Sequence, residues 1–267
     1  MGYRQCAVMF LAIARVSCGT DARVVREVLS GLTPSLIPAA LDAATLAAAQ
    51  SPKDLEHNQV TEHERALGWH SLFDGNSLQH WRTYGEASAH PHWRADRGRL
   101  TLTQKGGGDL ITRAVYSDFE LRLDWWISEG GNSGIFFLAD ESALPIFVHA
   151  PEVQILDNDA HPDAAQEDRR SGGLYDLIAA PAPAQKPAQQ WNRVRIRHYA
   201  GHLQVWQNGL LTVDVHIGSE FWRSLVADSK FADWPGFAEN VSGHIGLQDH
   251  GDVVAFRNLK IRRISGD

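Results

Sequence analysis

The stretch H-L-Q-V-W-Q-N-G-L-L-T-V-D-V (His202–Val215) predicts a β-hairpin. Its two halves flank Asn208 and Gly209, and a type I′ turn needs positive φ at both central residues, which this pair tolerates best. Apolar and polar residues alternate in other short segments along the chain, among them Phe119–Trp125 and Arg193–His198. Many short alternating segments separated by turn residues are typical of an all-β protein, and we predict an antiparallel β-sandwich.

A change in composition near residue 67 divides the chain into two predicted parts. Residues 67–265 carry the alternating segments, with one short helix expected near Ser219–Asp228. Residues 1–66 differ, because alanine-rich apolar stripes are followed there by a polar, charged linker or frayed helix. We therefore predict a short α-helical N-terminal segment, 1–66, that precedes the β-sandwich.

The N-terminal segment fits two interpretations. Arg4 precedes the apolar run Cys6–Ala14, which is the outline of a signal peptide and predicts a periplasmic or secreted protein. The stretches Asp21–Leu29 and Pro38–Gln50 instead have the apolar stripe of helices. If the first run is also a helix, the protein is cytoplasmic. The signal peptide is slightly favoured, and both interpretations stay open.

The composition excludes several classes of function. The chain has 267 residues and a formal net charge of −7, which argues against nucleic acid as a partner because nucleic acid is a polyanion. Both of its cysteines lie in the N-terminal segment, so the β part is neither a disulfide scaffold nor a thiolate zinc site. The apolar runs are shorter than the ~18 residues that a membrane-spanning helix needs. The oligomeric state stays unknown.

The octet P-E-V-Q-I-L-D-N (151–158) is the first candidate for a functional site. Side chains alternate between the two faces of a strand, so Glu152 and Gln154 share one face while Val153 and Ile155 share the other. Asp157 is out of phase by one residue and joins the polar face only if the strand carries a β-bulge. A partly exposed strand with ordinary surface polar groups is the alternative interpretation.

The spacing E-x-Q-x-x-D in this octet resembles the bulged strand of laminarinase-type glycosidases, which has the pattern E-x-D-x-x-E. Retaining glycosidases need two carboxyl groups about 5 Å apart, and Glu152 with Asp157 would approximate such a pair. Gln154 stands where that pattern has its central carboxylate, which weakens the coupling between the two acids. An ordinary glycosidase acting on unoxidised glucans therefore stays an alternative function.

Three further segments carry candidate residues. Asn132 lies in a Gly-Asn-Ser-Gly turn and has the amide needed to bind a sugar hydroxyl. Tyr175 follows a Gly pair, and Lys186 comes later in a proline-rich loop; both side chains carry a donor suited to an oxyanion. The third segment, G-L-Q-D-H-G-D (246–252), displays His250, and histidine is the residue type best suited to acid–base chemistry near neutral pH. Each of these residues is equally consistent with an ordinary turn or surface position.

Residues Gly68–Ile264 resemble the 3-keto-disaccharide hydrolase domain family. The matching motifs occur in the family's order and span about three quarters of the chain. They are G-W-H-S-L-F-D-G-N-S-L-Q-H-W (68–81), N-S-G-I-F-F (132–137), P-E-V-Q-I-L-D-N (151–158), G-G-L-Y-D-L-I (172–178), W-N-R-V-R-I (191–196), Q-N-G (207–209), G-H-I-G-L-Q-D-H-G-D (243–252) and F-R-N-L-K-I (256–261).

This resemblance implies both a fold and an activity. The fold is similar to the concanavalin A-like lectin and glucanase jelly roll, and family members are typically exported bacterial proteins. The implied activity is cleavage of glycosides whose sugar carries a ketone at carbon 3. Such a ketone acidifies the hydrogen on carbon 2, so one base and donors aimed at the enolate oxygen suffice for β-elimination and subsequent hydration. An amide at position 154 is then an asset, because it adds no second negative charge beside the base.

The resulting assignment gives each candidate a role. The expected catalytic residues are Glu152, His250, Tyr175 and Lys186, with Glu152 or His250 as the base. The expected carbohydrate-binding residues are Asn132, Gln154, Asp157, Gln248 and Asp249. No cofactor is certain, and a divalent metal ion held by Glu152, Asp157 and His250 is an open alternative. A non-catalytic carbohydrate-binding module is the remaining alternative function, because fold alone does not determine activity.

Overall fold

The computed structural model describes residues 57–142, 144–181 and 184–266. The signal peptide and helices predicted for Cys6–Ala14, Asp21–Leu29 and Pro38–Gln50 lie outside the described residues. The segment predicted as a polar linker or frayed helix is described from residue 57 onward. It contains helix α1 (Glu62–Ala66), which begins after Thr61 with a capping box formed by Thr61 and Glu64. Lys260 forms a salt bridge with Glu64, which attaches this helix to the β-sandwich.

Two antiparallel sheets form the body of the protein, and the predicted β-sandwich is confirmed. The larger sheet has the strand order β11-β10-β9-β6-β13-β4-β3, with β1 paired to β13 as its eighth strand. Its strands are β1 (His70–Ser71), β3 (Trp93–Asp96), β4 (Arg99–Leu102), β6 (Phe119–Ile127), β9 (Asn192–Tyr199), β10 (His202–Gln207), β11 (Leu210–His216) and β13 (Val254–Arg263). The smaller sheet has the order β2-β5-β12-β7-β8. Its strands are β2 (Trp81–Thr83), β5 (Leu110–Thr112), β7 (Asn132–Ala139), β8 (Glu152–Leu156) and β12 (His244–Leu247).

The hairpin around Asn208 and Gly209 has the predicted geometry. Strands β10 and β11 pair in antiparallel fashion around the turn, and Asn208 and Gly209 have φ values of 52° and 88°. Both values are positive, as a type I′ turn requires. The predicted short helix is α2 (Glu220–Ala227), capped by the side chain of Ser219. The helices within the described residues are too short or too polar to cross a membrane.

The main core lies between the two sheets. The smaller sheet contributes Val153, Ile155 and Ile135, and the larger sheet contributes residues such as Leu121 and Val194. The alternation in β8 therefore turns Val153 and Ile155 toward the core and Glu152 and Gln154 toward the outer face of the smaller sheet. A second, smaller apolar cluster that includes Ile111, Phe136 and Ile146 covers part of this outer face.

Candidate active site

A cavity of about 210 Å³ lies on the outer face of the smaller sheet. Its walls combine amides, ionisable side chains and aromatic rings. The lining residues are Asn132, Phe147, Ala150, Glu152, Gln154, Asp163, Tyr175, Lys230, Phe231, Gln248 and His250. The volume is below the roughly 300–1,000 Å³ of sites for drug-sized ligands, so it suits one sugar ring rather than two.

The carboxyl group of Glu152 lies over the backbone of Gly134, on the neighbouring strand β7. A Cβ atom at position 134 would lie 2.6 Å from Glu152 Cδ and 2.7 Å from Cγ, which is closer than nonbonded atoms approach. Glycine in the N-S-G motif therefore makes space for the carboxyl group. The pairing of β7 with β8 keeps one register from Asn132–Leu156 to Phe136–Glu152, so this placement follows from regular strand geometry.

Three amide side chains that line the cavity have a buried oxygen that accepts no hydrogen bond from the described residues. Asn132 Oδ1, Gln154 Oε1 and Gln248 Oε1 are buried and have no hydrogen-bond partner among the described residues. Buried acceptors without donors are costly, because each has lost its hydrogen bonds to water. A ligand that brings several hydroxyl groups into the cavity would satisfy all three. This combination favours a polyhydroxylated ligand such as a sugar.

Burial determines the protonation of Glu152. The residue is 9% exposed, and burial raises the pKa of Glu152 to about 8. The nearby charge of Asp109 raises this pKa further, whereas the Lys230 ammonium and the Gln248 side chain lower it. A carboxyl group with a pKa near neutrality is suited to proton transfer, because both of its protonation states are accessible. Glu152 can therefore accept a proton as a strong carboxylate base.

Asp109 brings a second perturbed carboxyl group to this face of the sheet. It directly precedes β5, and its Oδ1 accepts a hydrogen bond of 2.9 Å from the backbone of Asp249. Burial raises the pKa of Asp109 to about 6, and the charge of Asp249 adds to this shift. In the register of β5 with β12, Asp109 comes opposite Gln248, one step beyond the pair Leu110–Leu247. Asp109 therefore acts on Glu152 through charge from the far side of Gln248.

Tyr175 reaches the cavity because its segment runs alongside β8. Gln154 N donates to Gly173 O at 3.0 Å, Gly172 N donates to Gln154 O at 2.9 Å, and Tyr175 N donates to Glu152 O at 3.0 Å. These bonds extend the sheet by one irregular edge and place the phenol beside the carboxyl group. The glycine pair before Tyr175 allows this close approach, since a side chain at Gly173 would collide with the carbonyl oxygen of Ile178.

His250 lies at the mouth of the cavity and is exposed. Its ring packs edge to face with the ring of His161, with centroids 6.4 Å apart. His161 also caps the short 3₁₀ helix Pro162–Ala165 by accepting from Asp163 N, which holds Asp163 at the same rim. The mouth therefore carries imidazoles and a carboxylate, while the buried carboxyl group lies deeper.

The remaining predicted site residues lie outside the cavity lining. The bulge that Asp157 would need to join the polar face is absent from β8, which ends at Leu156 in regular register; the Asp157 carboxylate accepts from the backbone of Gly130 and Asp159. The exposed Lys186 side chain donates instead to Trp191 O at 3.2 Å. Asp249 Oδ2 accepts from three successive glycine N–H groups, those of residues 106–108, so this oxygen organises a loop.

The predicted metal ligands are not brought together. Asp157 accepts backbone hydrogen bonds beyond the end of β8, whereas Glu152 and His250 line the cavity. In the described ranges, no group of three or more His, Cys, Asp or Glu side chains has an arrangement that could hold a metal ion. A divalent ion stays an open alternative, which loss of activity on chelation would support.

Sequence reasoning missed six residues at or beside the cavity. They are Asp109, Phe147, Ala150, Asp163, Lys230 and Phe231. Lys230 and Phe231 follow α2 in a segment without strand or helix periodicity. The only signal there is the aromatic-rich sequence F-A-D-W-P-G-F (231–237), which is unusual for a surface loop. Asp109 stands after three glycines and has the appearance of an ordinary turn residue.

Comparisons with known proteins find similarity in both sequence and fold. A sequence model described as the 3-keto-alpha-glucoside-1,2-lyase-like domain matches residues 68–262. A 3-keto-disaccharide hydrolase from Bacteroides thetaiotaomicron is 37% identical over 228 residues, which cover 74% of this chain and 79% of the relative. Two solved structures from Parabacteroides distasonis, provisionally assigned as glycosyl hydrolases, share the fold. One has a TM-score of 0.74 at 26% identity, covering 78% of this chain and 100% of the other. The second has a TM-score of 0.59 at 27% identity, covering 73% and 99%.

Proposed function

Because the chain belongs to the 3-keto-alpha-glucoside-1,2-lyase-like domain family, we propose that it hydrolyses 3-keto-glycosides or 3-keto-disaccharides by β-elimination and hydration. The 37% identical relative is named for hydrolysis of 3-keto-disaccharides, which supports the same substrate class here. The observation that carries the proposal is the pairing of one buried, weakly acidic Glu152 with three unsatisfied amide acceptors in a cavity for one sugar ring.

The first step removes a proton from the sugar. The ionised Glu152 takes the hydrogen on carbon 2, and the electron pair of that bond moves to the keto oxygen as an enolate. The desolvation that raises the pKa of Glu152 also strengthens its carboxylate as a base. The amides of Asn132, Gln154 and Gln248 hold the ring hydroxyls and orient carbon 2 toward the carboxylate.

The second step expels the aglycone. The enolate electrons re-form the ketone, a double bond forms between carbons 1 and 2, and the glycosidic bond breaks with its electron pair on the leaving oxygen. Tyr175 or His250 supplies a proton to that oxygen, since both line the cavity and His250 lies at its mouth. Water then adds its hydroxyl to carbon 1 and gives its other proton back to Tyr175 or His250, while Glu152 returns its proton to carbon 2, so the net reaction is hydrolysis and the side chains are regenerated.

The alternatives make different demands on the site. An ordinary retaining glycosidase needs an acid and a nucleophile about 5 Å apart. Glu152 and Asp157, the pair that the spacing suggested, have different surroundings: the first lines the cavity, and the second accepts backbone hydrogen bonds beyond β8. A binding module needs the amides and aromatic rings but has no use for a desolvated carboxyl group, whose burial costs stability. The elimination route uses both features.

One experiment separates these functions. The protein is incubated with 4-nitrophenyl glucosides in both anomeric forms, each with a hydroxyl or a ketone at carbon 3, and nitrophenol release is followed. Release from a keto substrate alone supports elimination. Release from the unmodified glucosides as well would support an ordinary glycosidase. Saturable binding without release would support a binding module.

A further inference from the structure

Lys230 enters the cavity from outside the sheet. Its backbone N–H donates to Asp176 Oδ2 at 2.9 Å, which ties the residue to the turn that follows Tyr175. The residue is exposed, and its side chain lines the cavity together with Glu152 and the three amides. The end of this side chain is therefore held near the buried carboxyl group, although 78 positions separate the two residues along the chain.

Aromatic rings surround the Lys230 ammonium. Its Nζ lies 4.1 Å from the ring centroid of Tyr175, 5.0 Å from that of Phe231 and 5.8 Å from that of Trp234. Such faces stabilise a cation, and they also restrict the rotamers of a long, flexible side chain. Phe231 and Trp234 pack edge to face with centroids 5.1 Å apart, so these two rings hold each other in position. The rings of Tyr175, Phe231 and Trp234 together form an aromatic wall beside the ammonium.

The ammonium has no ion-pair partner among the described residues, although Glu152 is close enough to influence it through charge. Burial lowers the pKa of Lys230, and the charges of Glu152 and Asp176 oppose this shift. Two other described lysines donate to protein acceptors: Lys260 to Glu64 and Lys186 to the Trp191 carbonyl oxygen. Because the Lys230 ammonium has no such acceptor among the described residues, its three N–H donors are available to a ligand.

We propose that Lys230 is the catalytic cation that hydrogen-bonds to the keto oxygen of the sugar and stabilises the enolate. This inference rests on the proposed function. As Glu152 removes the hydrogen on carbon 2, the negative charge moves to the oxygen on carbon 3, and the fixed ammonium meets it there. The proton stays on Lys230 throughout, so the residue is regenerated when the enolate expels the aglycone. The aromatic wall keeps the donor oriented before charge develops, as preorganised electrostatic catalysis requires.

The role is tested on proton abstraction alone, with 3-keto-1,5-anhydroglucitol as probe. This sugar has no aglycone on carbon 1, so exchange of its carbon 2 hydrogen in D₂O, followed by proton NMR, reports enolate formation without glycosidic cleavage. Wild-type protein should accelerate the exchange. Lys230→Met should slow it about a hundredfold to a thousandfold, the loss typical of removing one oxyanion donor. Lys105→Met, which changes an exposed lysine outside the cavity lining, is the matched control and should keep the wild-type rate.

A structural role for Lys230 would give a different pattern. Lys230→Arg retains a cation and should recover at least tenfold of the rate lost in Lys230→Met; equal rates for the two variants would overturn the inference. With a cleavable keto-glucoside, the loss should fall on kcat, and a change confined to KM would also overturn it. Melting curves show whether each variant is folded. Absence of wild-type cleavage would instead contradict the proposed function, so the two failures are distinguishable.

Discussion

Two buried glutamates, one on each sheet, have opposite electrostatic surroundings. Glu120 on β6 is 0% exposed, and its carboxylate accepts hydrogen bonds from Arg122, Arg195 and Arg262 at 2.6–3.2 Å. Burial raises the pKa of Glu120, but these three guanidinium groups more than offset that effect and hold it below its ordinary value. Glu152 on β8 is buried without such contacts, and its pKa is raised to about 8.

This difference separates a structural charge from a chemical one. A fully paired carboxylate such as Glu120 has a fixed protonation state and little capacity to exchange protons. An unpaired buried carboxyl group costs stability, and a protein retains one where it performs chemistry. The same residue type therefore braces the larger sheet through Glu120 and, under the proposed function, reacts with substrate through Glu152.

The largest expected effect is on turnover when each carboxylate is replaced. Glu152→Gln should reduce kcat on a 3-keto-glucoside about 10³-fold, because a general base contributes roughly 10²–10⁴. Glu120→Gln should leave kcat of the folded protein within a few-fold of wild type. Rates normalised to folded protein check this contrast. A near-normal rate in Glu152→Gln would transfer the role of base to His250.

The second contrast is in stability: Glu120→Gln should lower the free energy of unfolding, whereas Glu152→Gln should raise it at alkaline pH. Glu120→Gln should lower the free energy of unfolding by about 3 kcal/mol, because three guanidinium groups lose their partner. The partial exposure of these arginines places the loss toward the lower end of the range for buried pairs. Glu152→Gln should be as stable as wild type at pH 5 and more stable at pH 8. Urea denaturation at several pH values measures both.

The pH dependence of that stability follows from the pKa shifts. The folded-state pKa of Glu152 lies above its ordinary value of 4.5, so its contribution is fully present below pH 4.5 and is lost as pH rises to about 8. The slope is at most about 1.4 kcal/mol per pH unit. The folded-state pKa of Glu120 is lowered, so its contribution is present above the ordinary value and is lost as pH falls below it. A wild-type stability that rises steadily from pH 5 to 8 would contradict the assignment for Glu152.

The sequence predicts the two faces of the strands better than it predicts their neighbours. Alternation correctly separates Glu152 and Gln154 from Val153 and Ile155, because side-chain period is a local property of a strand. Alternation also places Glu120 on the outer face of the larger sheet, but it does not reveal that the residue is buried. That burial depends on the guanidinium groups of β9 and β13, which are brought beside it by pairing between distant segments.

The same limit explains the residues that the sequence interpretation placed incorrectly or missed. Asp157 needed a bulge to join the polar face, but β8 ends one residue earlier and backbone N–H groups satisfy its carboxylate. Lys230 belongs to an irregular segment, so no periodicity indicates its direction. The family resemblance identifies the motif around Gly134, whereas only the packing shows why glycine is needed beneath Glu152.

A third, smaller effect should follow from crowding the unpaired carboxyl group. Gly134→Ala places a methyl carbon 2.6 Å from Glu152 Cδ, closer than nonbonded atoms approach, so the carboxyl group must move. Misplacement of a catalytic group by about 1 Å costs on the order of 10²-fold in rate, and we expect a loss of that size in kcat/KM. Gly209→Ala is the control for loss of a glycine, because it strains a positive-φ turn but leaves the cavity unchanged. Equal kcat/KM for both variants would contradict the role of Gly134.

The smallest effect is a shift in the pH dependence of the rate, and it tests the comparison first in the wild-type protein and then in two variants. If the ionised form of Glu152 is the base, kcat/KM should rise about tenfold per pH unit below pH 8 and level off above it, because kcat/KM reports ionisation of the free enzyme. The Lys230 ammonium lowers the pKa of Glu152, so Lys230→Met should move the break to higher pH. Glu120→Gln should leave the break at its wild-type pH, because the arginines around Glu120 do not contact Glu152. A rate that falls as pH rises through 8 would mean that protonated Glu152 is the active form, and the residue would then be an acid.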